Sequence, residues 1–331
     1  MTDDELSAAL PNLHVFGRVT PQDKLRLVDV MQSGGAVVAM TGDAVNDAAA
    51  LKKADIGVAM GSGSEVTKQA GKMVLTDDNF GTLITAITLG RNIYGKIVSY
   101  IRYQMSKLFS LVLLFLAASI FNINEGVALT PLMVLFQHFF ITLFPVAVIM
   151  LDPPPPDLMN KPPRDPKMPI AHRSAVAQWL AYGVLQFAVT LAAMLLAPGE
   201  MSTTEANVPM TTAFVVLSLG SIFAGLTMRR DPESGLVPPV LGAIKILTIP
   251  TVVTVFAVEA GVLQDLLMTT SLTGAQWLVC LGWSLIIPVV VELEKAIRRR
   301  RLSPTPVAIT ATTAVAPQRA RHSSEGGTIT R

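Results

Sequence analysis

Apolar and polar positions follow two different rhythms along this chain, and the rhythm changes near residue 80. Before that point, short apolar runs alternate with helical stretches. Residues 3–10 suit a short helix, and His14 to Val19 (HVFGRV) a strand. Thr20 then reads as an N-cap, with Pro21 at the first helical position and Asp23 in the first turn. Leu25, Val28, Val30 and Met31 follow at roughly helical spacing until Gly34-Gly35 break the pattern. Ala36 to Met40 (AVVAM) is an apolar run of the kind that makes a buried parallel strand. The loop TGDAVND leads into a helix around AAALKKAD. A strand IGVAM (56–60), a helix near 64–71 and a run MVLT (73–76) complete the series. Such alternation predicts a parallel sheet covered by helices.

Beyond residue 80 the apolar runs lengthen. One helix is predicted through GRNIYGKIVSYIRYQMSK into the block Leu108 to Phe121, linking the sheet domain to a bilayer. Five further apolar segments lie near 131–151, 175–196, 210–228, 240–262 and 276–292. Each approaches the ~20 residues needed to cross a bilayer as a helix. The loops agree on one orientation. Lys161, Arg164, Lys167 and Arg173 share one loop, Arg229 and Arg230 another, and Lys295 with Arg298 to Arg301 follow the last span. The intervening loops 122–129, 197–209 and 264–275 contain no Lys or Arg. The positive-inside rule then puts the sheet domain and C-terminus in the cytoplasm of a multi-pass cell-membrane protein. The expected division is 1–90 for part of an α/β domain, 91–302 for the stalk and six spans, and 303–331 for an Ala/Thr/Ser/Pro-rich tail expected to be disordered.

Composition supports the membrane reading. Apolar residues make up 51% and charged residues 15%, with mean hydropathy +0.50, whereas soluble domains carry roughly 25% charge. The net charge of +2 says little about partners. A single cysteine, Cys280, excludes an internal disulfide or a cysteine-based zinc site, and its apolar surroundings assign it to packing. The acidic N-terminus (Thr2-Asp3-Asp4-Glu5) is unlike a secretory signal.

The stretch most informative for chemistry is VVAMTGDAVNDAAALKKAD, Val37 to Asp55. A buried strand ends, turns through Gly42, and presents Asp43 and Asp47 where a helix begins. Ligands of open parallel sheets bind outside the carboxyl ends of the strands. Two carboxylates and the neutral oxygen of Asn46 are hard donors that suit magnesium, and Lys24 adds a positive charge able to hold a phosphoryl oxygen. Taken separately, both aspartates are also ordinary helix-start acids, and Lys24 an ordinary surface lysine.

TGDAVNDAAALKKADIGVAMGSGSEVTKQAGKMVLTDDNF closely resembles the hinge motif of P-type cation-transporting ATPases, whose pattern reads TGDGxNDxPxL. FGRVTPQDK resembles that family's phosphate-site lysine segment, and LMNKPPRDP its inside loop between the second and third spans of this half. The similarity runs from about residue 13 to 300 and points to the calcium- and sodium/potassium-pump subgroup, since heavy-metal pumps lack the four C-terminal spans. It implies a partial haloacid-dehalogenase-like phosphorylation domain followed by a six-helix membrane bundle. It also implies Asp43 as magnesium ligand, Asp47 a weaker one, Asn46 in support, Lys24 at the phosphate, and Thr41 and Gly42 in the same loop. ATP and magnesium serve the full-length enzyme; partners are the bilayer, a transported cation and, for a split pump, a separate N-terminal half. Nucleic acid is not among them.

The departures are as informative. No DKTG or TGE sequence occurs, so the phosphorylated aspartate is not in this chain, which is expected to be inactive alone. Loss of the central strand is expected to leave an unpaired sheet edge, and the opening residues resemble mid-domain sequence rather than a start. Ala44 stands for a glycine and Ala49 for a proline; if position 44 needs positive φ, alanine costs about 1 kcal/mol or more. Leu111, His138, Ile141 and Thr142 stand where the family places ion-binding side chains. Polar groups near mid-membrane are Ser110, Gln137, His138, Thr142, Gln186, Ser218 and Ser221, while Glu259, Glu292 and Glu294 lie towards span ends. Of these, Ser110, Gln137, His138 and Thr142 are the candidate ion pathway. His138 could ligate a transition metal or relay a proton, or Gln137 and His138 could be interhelical glue. The alternatives for the chain are a fragment of a longer pump, half of a split pump, or a non-catalytic membrane interaction protein derived from one.

Overall fold

The computed structural model describes residues 1–161, 164–165, 167–229 and 240–302. The tail 303–331 lies outside the described residues, as do Arg230 and three prolines of LMNKPPRDP.

Helix α1 (Asp3–Ala9) opens on a capping box between Thr2 and Glu5. Helix α2 (Pro21–Ser33) repeats the device with Thr20 and Asp23 and places Pro21 at its start. Three parallel strands follow, β1 (Ala39–Gly42), β2 (Ile56–Met60) and β3 (Met73–Leu75), ordered β1-β2-β3. Helices α3 (Ala48–Lys53) and α4 (Glu65–Ala70) connect them. Val28, Val38 and Ala54 form a small core with Met31 and Met40. Among the described strands β1 pairs only with β2, so its outer edge is open.

Two sequence expectations are corrected here. HVFGRV forms no strand: Val15 is 86% exposed and Arg18 takes positive φ of 53°. A strand needs a neighbour for its backbone groups, and this segment pairs with none of the described strands. AVVAM is displaced towards its C-terminal end, because the Val38 amide donates to the Asp55 carboxylate (2.9 Å) rather than to a strand. Regular β-structure therefore begins only at Ala39.

Helix α5 (Phe80–Ile120) is continuous over 41 residues, about 60 Å at 1.5 Å per residue. Helix α6 (Pro131–Phe136), a π-helical turn (Gln137–Ile141) and α7 (Leu143–Leu151) make the next span. Helices α8 (Arg173–Leu196), α9 (Val208–Met228), α10 (Val240–Glu259), α11 (Gly261–Leu267) and α12 (Gly274–Leu302) complete the bundle. The fifth span thus ends at Glu259, slightly before the expected 262. Six of these helical units are long and apolar enough to cross a membrane, as expected. Helix α9 is the central pillar, with 89% of its most apolar window buried against 22–44% in the others. Polar groups on α9 therefore need partners within the protein, while the outer helices turn apolar side chains outward. Close approach uses glycines: a Cβ on Gly225 of α9 would lie 2.4 Å from Pro145 Cβ of α7.

Candidate active site and membrane polar cluster

At the carboxyl end of β1 the chain turns through Gly42, where a Cβ would lie 2.5 Å from Asp47 Cβ and 2.8 Å from Asp47 Oδ2. Only hydrogen fits between the strand end and the turn Val45–Asp47. That turn closes with the Asp47 amide donating to the Ala44 carbonyl (2.9 Å). Asp47 is buried, and Lys24 Nζ, from the first turn of α2, donates to its Oδ1 at 2.5 Å. The side chain of Lys24 remains 36% exposed against 5% for Asp47, so the pair sits at the rim of the loop. Asp43 and Asn46 are exposed. The Asp43 carbonyl accepts from the Ser64 amide (2.9 Å) and Thr67 Oγ1 (3.4 Å), which ties the loop to α4. Lys24, Gly42 and Asp47 therefore meet, while Asp43 and Asn46 open to solvent and Thr41 is half-buried. Ala44 has φ −95° and ψ 153°. Positive φ is not needed there, so alanine carries no left-handed penalty.

At the two ends of the sheet, hydrogen bonds lower carboxylate pKa values. The Val38 amide, then the Gln32 side chain, hold Asp55 below its ordinary value. Asp78 is lowered chiefly by hydrogen bonds from Ser62.

In the bundle, Gln137 Nε2 and Gln186 Nε2 both donate to Ser221 Oγ of α9 (3.4 and 3.2 Å), and Gln186 also donates to the Leu217 carbonyl (3.3 Å). Thr142 is buried and donates from Oγ1 to the Gln137 carbonyl (3.0 Å) across the π turn. The Ser110 and Ser218 hydroxyls are buried and find no hydrogen-bond partner among the described residues. His138 points the other way and is exposed, its ring edge-on to Phe139. Among the described residues no three His, Cys, Asp or Glu side chains gather where a metal ion could be held. Gln137, Thr142 and Ser110 thus lie inside the bundle, and His138 is not gathered with them.

One buried group escaped the sequence reading. Lys107 of α5 is 7% exposed, and its Nζ donates to Thr142 Oγ1. The signal was present: Tyr103, Ser106, Lys107 and Ser110 recur at i, i+3, i+4 and i+7, a polar stripe on one helix face. All four are buried.

Three pairs of charges lie towards the other ends of the spans. Arg229 Nη1 donates to Asp152 at 2.9 Å, with both side chains buried. Lys295 pairs with Glu292 (3.0 Å) and donates to the Thr227 carbonyl; Arg298 pairs with Glu294 (2.6 Å), which also accepts from Tyr182 Oη (2.8 Å). The end of α7 and the loop after it grip α5: Arg91 donates to the Leu158 and Lys161 carbonyls of the loop (3.2 and 2.9 Å), and Lys96 to the Met150 carbonyl in the last turn of α7 (2.6 Å).

A small parallel sheet feeding a six-helix bundle through one long helix defines a haloacid-dehalogenase-like unit joined to a multi-pass membrane domain. Residues 26–87 match the haloacid dehalogenase-like hydrolases, and residues 126–297 match the family described as cation transporting ATPase, C-terminus. The chain is 32% identical over 298 residues to a calcium-transporting ATPase of Bacillus subtilis, covering 86% of this chain and 32% of that protein. It is 41% identical over 192 residues to the endoplasmic reticulum calcium ATPase srcA of Aspergillus fumigatus, covering 58% and 20%. The chain belongs to the P-type cation-transporting ATPases and corresponds to their C-terminal portion. It spans about a third or less of the length of these relatives.

Proposed function

We propose that this chain is the C-terminal part of an ATP-driven pump of the calcium-transporting kind. In this reading it supplies the magnesium and phosphate loop and half of the ion path, and turns over no ATP by itself. The observation that carries the reading is the Lys24–Asp47 pair beneath Gly42, with Asp43 and Asn46 open at the mouth of the same loop.

The donor set fits magnesium, which takes one or two carboxylates and keeps water or phosphate as its remaining ligands. Asp43 would be the main ligand and Asn46 its support; Asp47, already held by Lys24, would be the weaker one. When bound, the ion neutralises charge on the phosphoryl group being transferred. The protein's own contribution is positioning. Lys24 has donors beyond the one used on Asp47 and can hold a phosphoryl oxygen. Gly42 lets the strand end and the turn close together, and Thr41 fixes the strand end. No DKTG sequence occurs in the 331 residues, so the aspartate that accepts the phosphoryl group belongs to chain outside this sequence. That chain is either the rest of a longer pump or a separate N-terminal half.

In this reading residues 1–90 serve phosphoryl transfer on the cytoplasmic side, residues 91–302 serve transport, and the basic tail is cytoplasmic. Ser110, Gln137 and Thr142 contribute to the ion path, whereas His138, exposed on the outer side of the π turn, does not. The π turn supports this, because such turns occur often at functional sites, and so does the unpartnered Ser110 hydroxyl.

A second reading is a non-catalytic membrane protein that keeps the scaffold for interaction. It is favoured by the engagement of the span-end acids elsewhere: Glu259 accepts from Trp277 Nε1 (2.9 Å), Glu292 from Lys295 and Glu294 from Arg298. The deciding experiment is phosphoenzyme formation from radiolabelled ATP in membranes bearing this chain, alone and together with an N-terminal half. Acid-stable label only on co-expression, lost in Asp43→Asn, supports the pump. Label on the chain alone overturns its inactivity, and no label in either case leaves the second reading.

A further inference from the structure

Among the described residues neither Arg91 nor Lys96 has a carboxylate partner. Arg91 Nη1 donates to the Leu158 and Lys161 carbonyls, and Lys96 Nζ to the Met150 carbonyl. Those acceptors are neutral, so two positive charges stay unmatched. Arg229, which borders the same junction, is instead paired with Asp152 at 2.9 Å. A guanidinium has five donors and an ammonium three, so Arg91 and Lys96 also keep donors beyond those they use.

The two cations share a pocket of about 60 Å³ between α5, the chain leaving α7 and the end of α9. Arg91, Asn92, Lys96, Asp152, Lys161 and Arg229 border it. Four of these six are cationic and one is an acid; Asp157 adds a second acid 3.8 Å from Lys161. The positive excess among these described residues rests on Arg91 and Lys96. Asn92 adds a neutral amide. Gly95 lies between the two cations in sequence, and a Cβ there would meet nothing within 4 Å, so the α5 wall is open at that point. A space that admits several water molecules also admits one tetrahedral phosphate.

We propose that this pocket binds a phosphate group, with Arg91 and Lys96 as its charged contacts. A phosphate presents oxygens in several directions and can take the guanidinium fork and the ammonium together. Basic pockets between spans at the cytoplasmic face recognise phosphorylated lipid headgroups, and the orientation favoured by the loop charges puts this pocket at that face. Ile97, next to Lys96, and Leu151, next to Asp152, are exposed and offer an acyl chain apolar surface. The phosphate can belong to a lipid or come from solution; the chemistry at the pocket is the same. The site uses no residue of the magnesium loop and does not rest on the pump reading.

The test uses the full chain in neutral detergent at pH 7.5, with dioctanoyl phosphatidic acid, dioctanoyl phosphatidylcholine and inorganic phosphate as probes. Native mass spectrometry reads lipid affinity, and hydrogen exchange reads where each probe protects the chain. The expected result is at least ten-fold tighter binding of phosphatidic acid than of phosphatidylcholine, with slowed exchange at the amides of residues 157–161. Lys96→Gln and Gly95→Asp should each weaken that binding at least ten-fold, thermal unfolding establishing that both are folded. Arg300→Gln, which removes an exposed cation outside the pocket, should leave it unchanged. Inorganic phosphate that protects the same amides, with or without displacing the lipid, supports the site and assigns it to phosphate in solution as well; protection by phosphatidic acid alone assigns it to the lipid. If neither probe protects residues 157–161, the proposal is overturned, and this footprint on the unaltered chain decides even where a variant does not fold. Folded Lys96→Gln and Gly95→Asp that both bind like the unaltered chain overturn it too.

Discussion

Adding one methyl group at Gly42 sets the end of β1 against the turn that carries Asp47. In Gly42→Ala the new Cβ would lie 2.5 Å from Asp47 Cβ, 2.8 Å from Asp47 Oδ2 and 2.8 Å from Leu51 Cδ1. Ordinary carbon contacts need roughly 3.5–4.0 Å, so strand and helix must separate by about 1 Å. Leu51 is fully buried and cannot swing away. Overpacking of this kind costs about 1–3 kcal/mol. The Lys24–Asp47 pair must lengthen with it. Hydrogen exchange of the full chain, read by mass spectrometry, should show amides of β1 and β2 exchanging roughly 5- to 150-fold faster, as that free energy implies. Gly17→Ala is the control, because a Cβ there meets nothing within 4 Å. If β1 amides in Gly42→Ala exchange as slowly as in the control, the close approach of Gly42 to Asp47 is not a constraint on the loop.

Two further outcomes follow from other contacts. Gly225→Ala should lower the thermal midpoint of the bundle in detergent, by the equivalent of about 1–3 kcal/mol, because its Cβ would meet Pro145 at 2.4 Å; an unchanged midpoint would show that α7 and α9 can part. The Asp55 carboxyl titrates below its ordinary value because Val38 and Gln32 donate to it. A folded value below the unfolded one adds stability above about pH 3.9, lost as pH falls through the folded value. Pepsin cleavage between β1 and β2 should therefore accelerate as pH falls below about 3.9. Asp55→Asn should flatten that dependence, and equally steep profiles in both proteins would count against the linkage.

Much of the fold was legible because its signals are local. Thr20, Pro21 and Asp23 mark a helix start in three adjacent residues, and each span carries its own apolar length. The hinge loop was legible because Gly42, Asp43 and Asp47 stand close together in sequence. The strand reading of His14 to Val19 failed because a strand is settled by its neighbour, and alternation within six residues cannot supply one. Whether position 44 needs positive φ was open in the sequence for a related reason, since backbone angles depend on how the turn closes. Lys107 was overlooked because it was read as part of a linking helix. Whether its ammonium faces water or Thr142 depends on the rotation of α5 against a segment some 35 residues later. The division between Gln137 and His138 could not be read either, because a π turn re-aims successive side chains.

Helix α5 crosses from the sheet domain into the bundle without a proline. Its two weakest points for bending, Gly90 and Gly95, lie beside Arg91 and Lys96, which grip carbonyls of the loop after α7 and of the last turn of α7 respectively. The loop acts as a splint over the stretch most able to flex. A splinted rod of about 60 Å converts a tilt of about 5° at one end into a displacement of about 5 Å at the other, close to one helical turn. The machine elements are thus a lever and a bearing, and cutting the bearing at Arg91 should loosen the lever without touching either end.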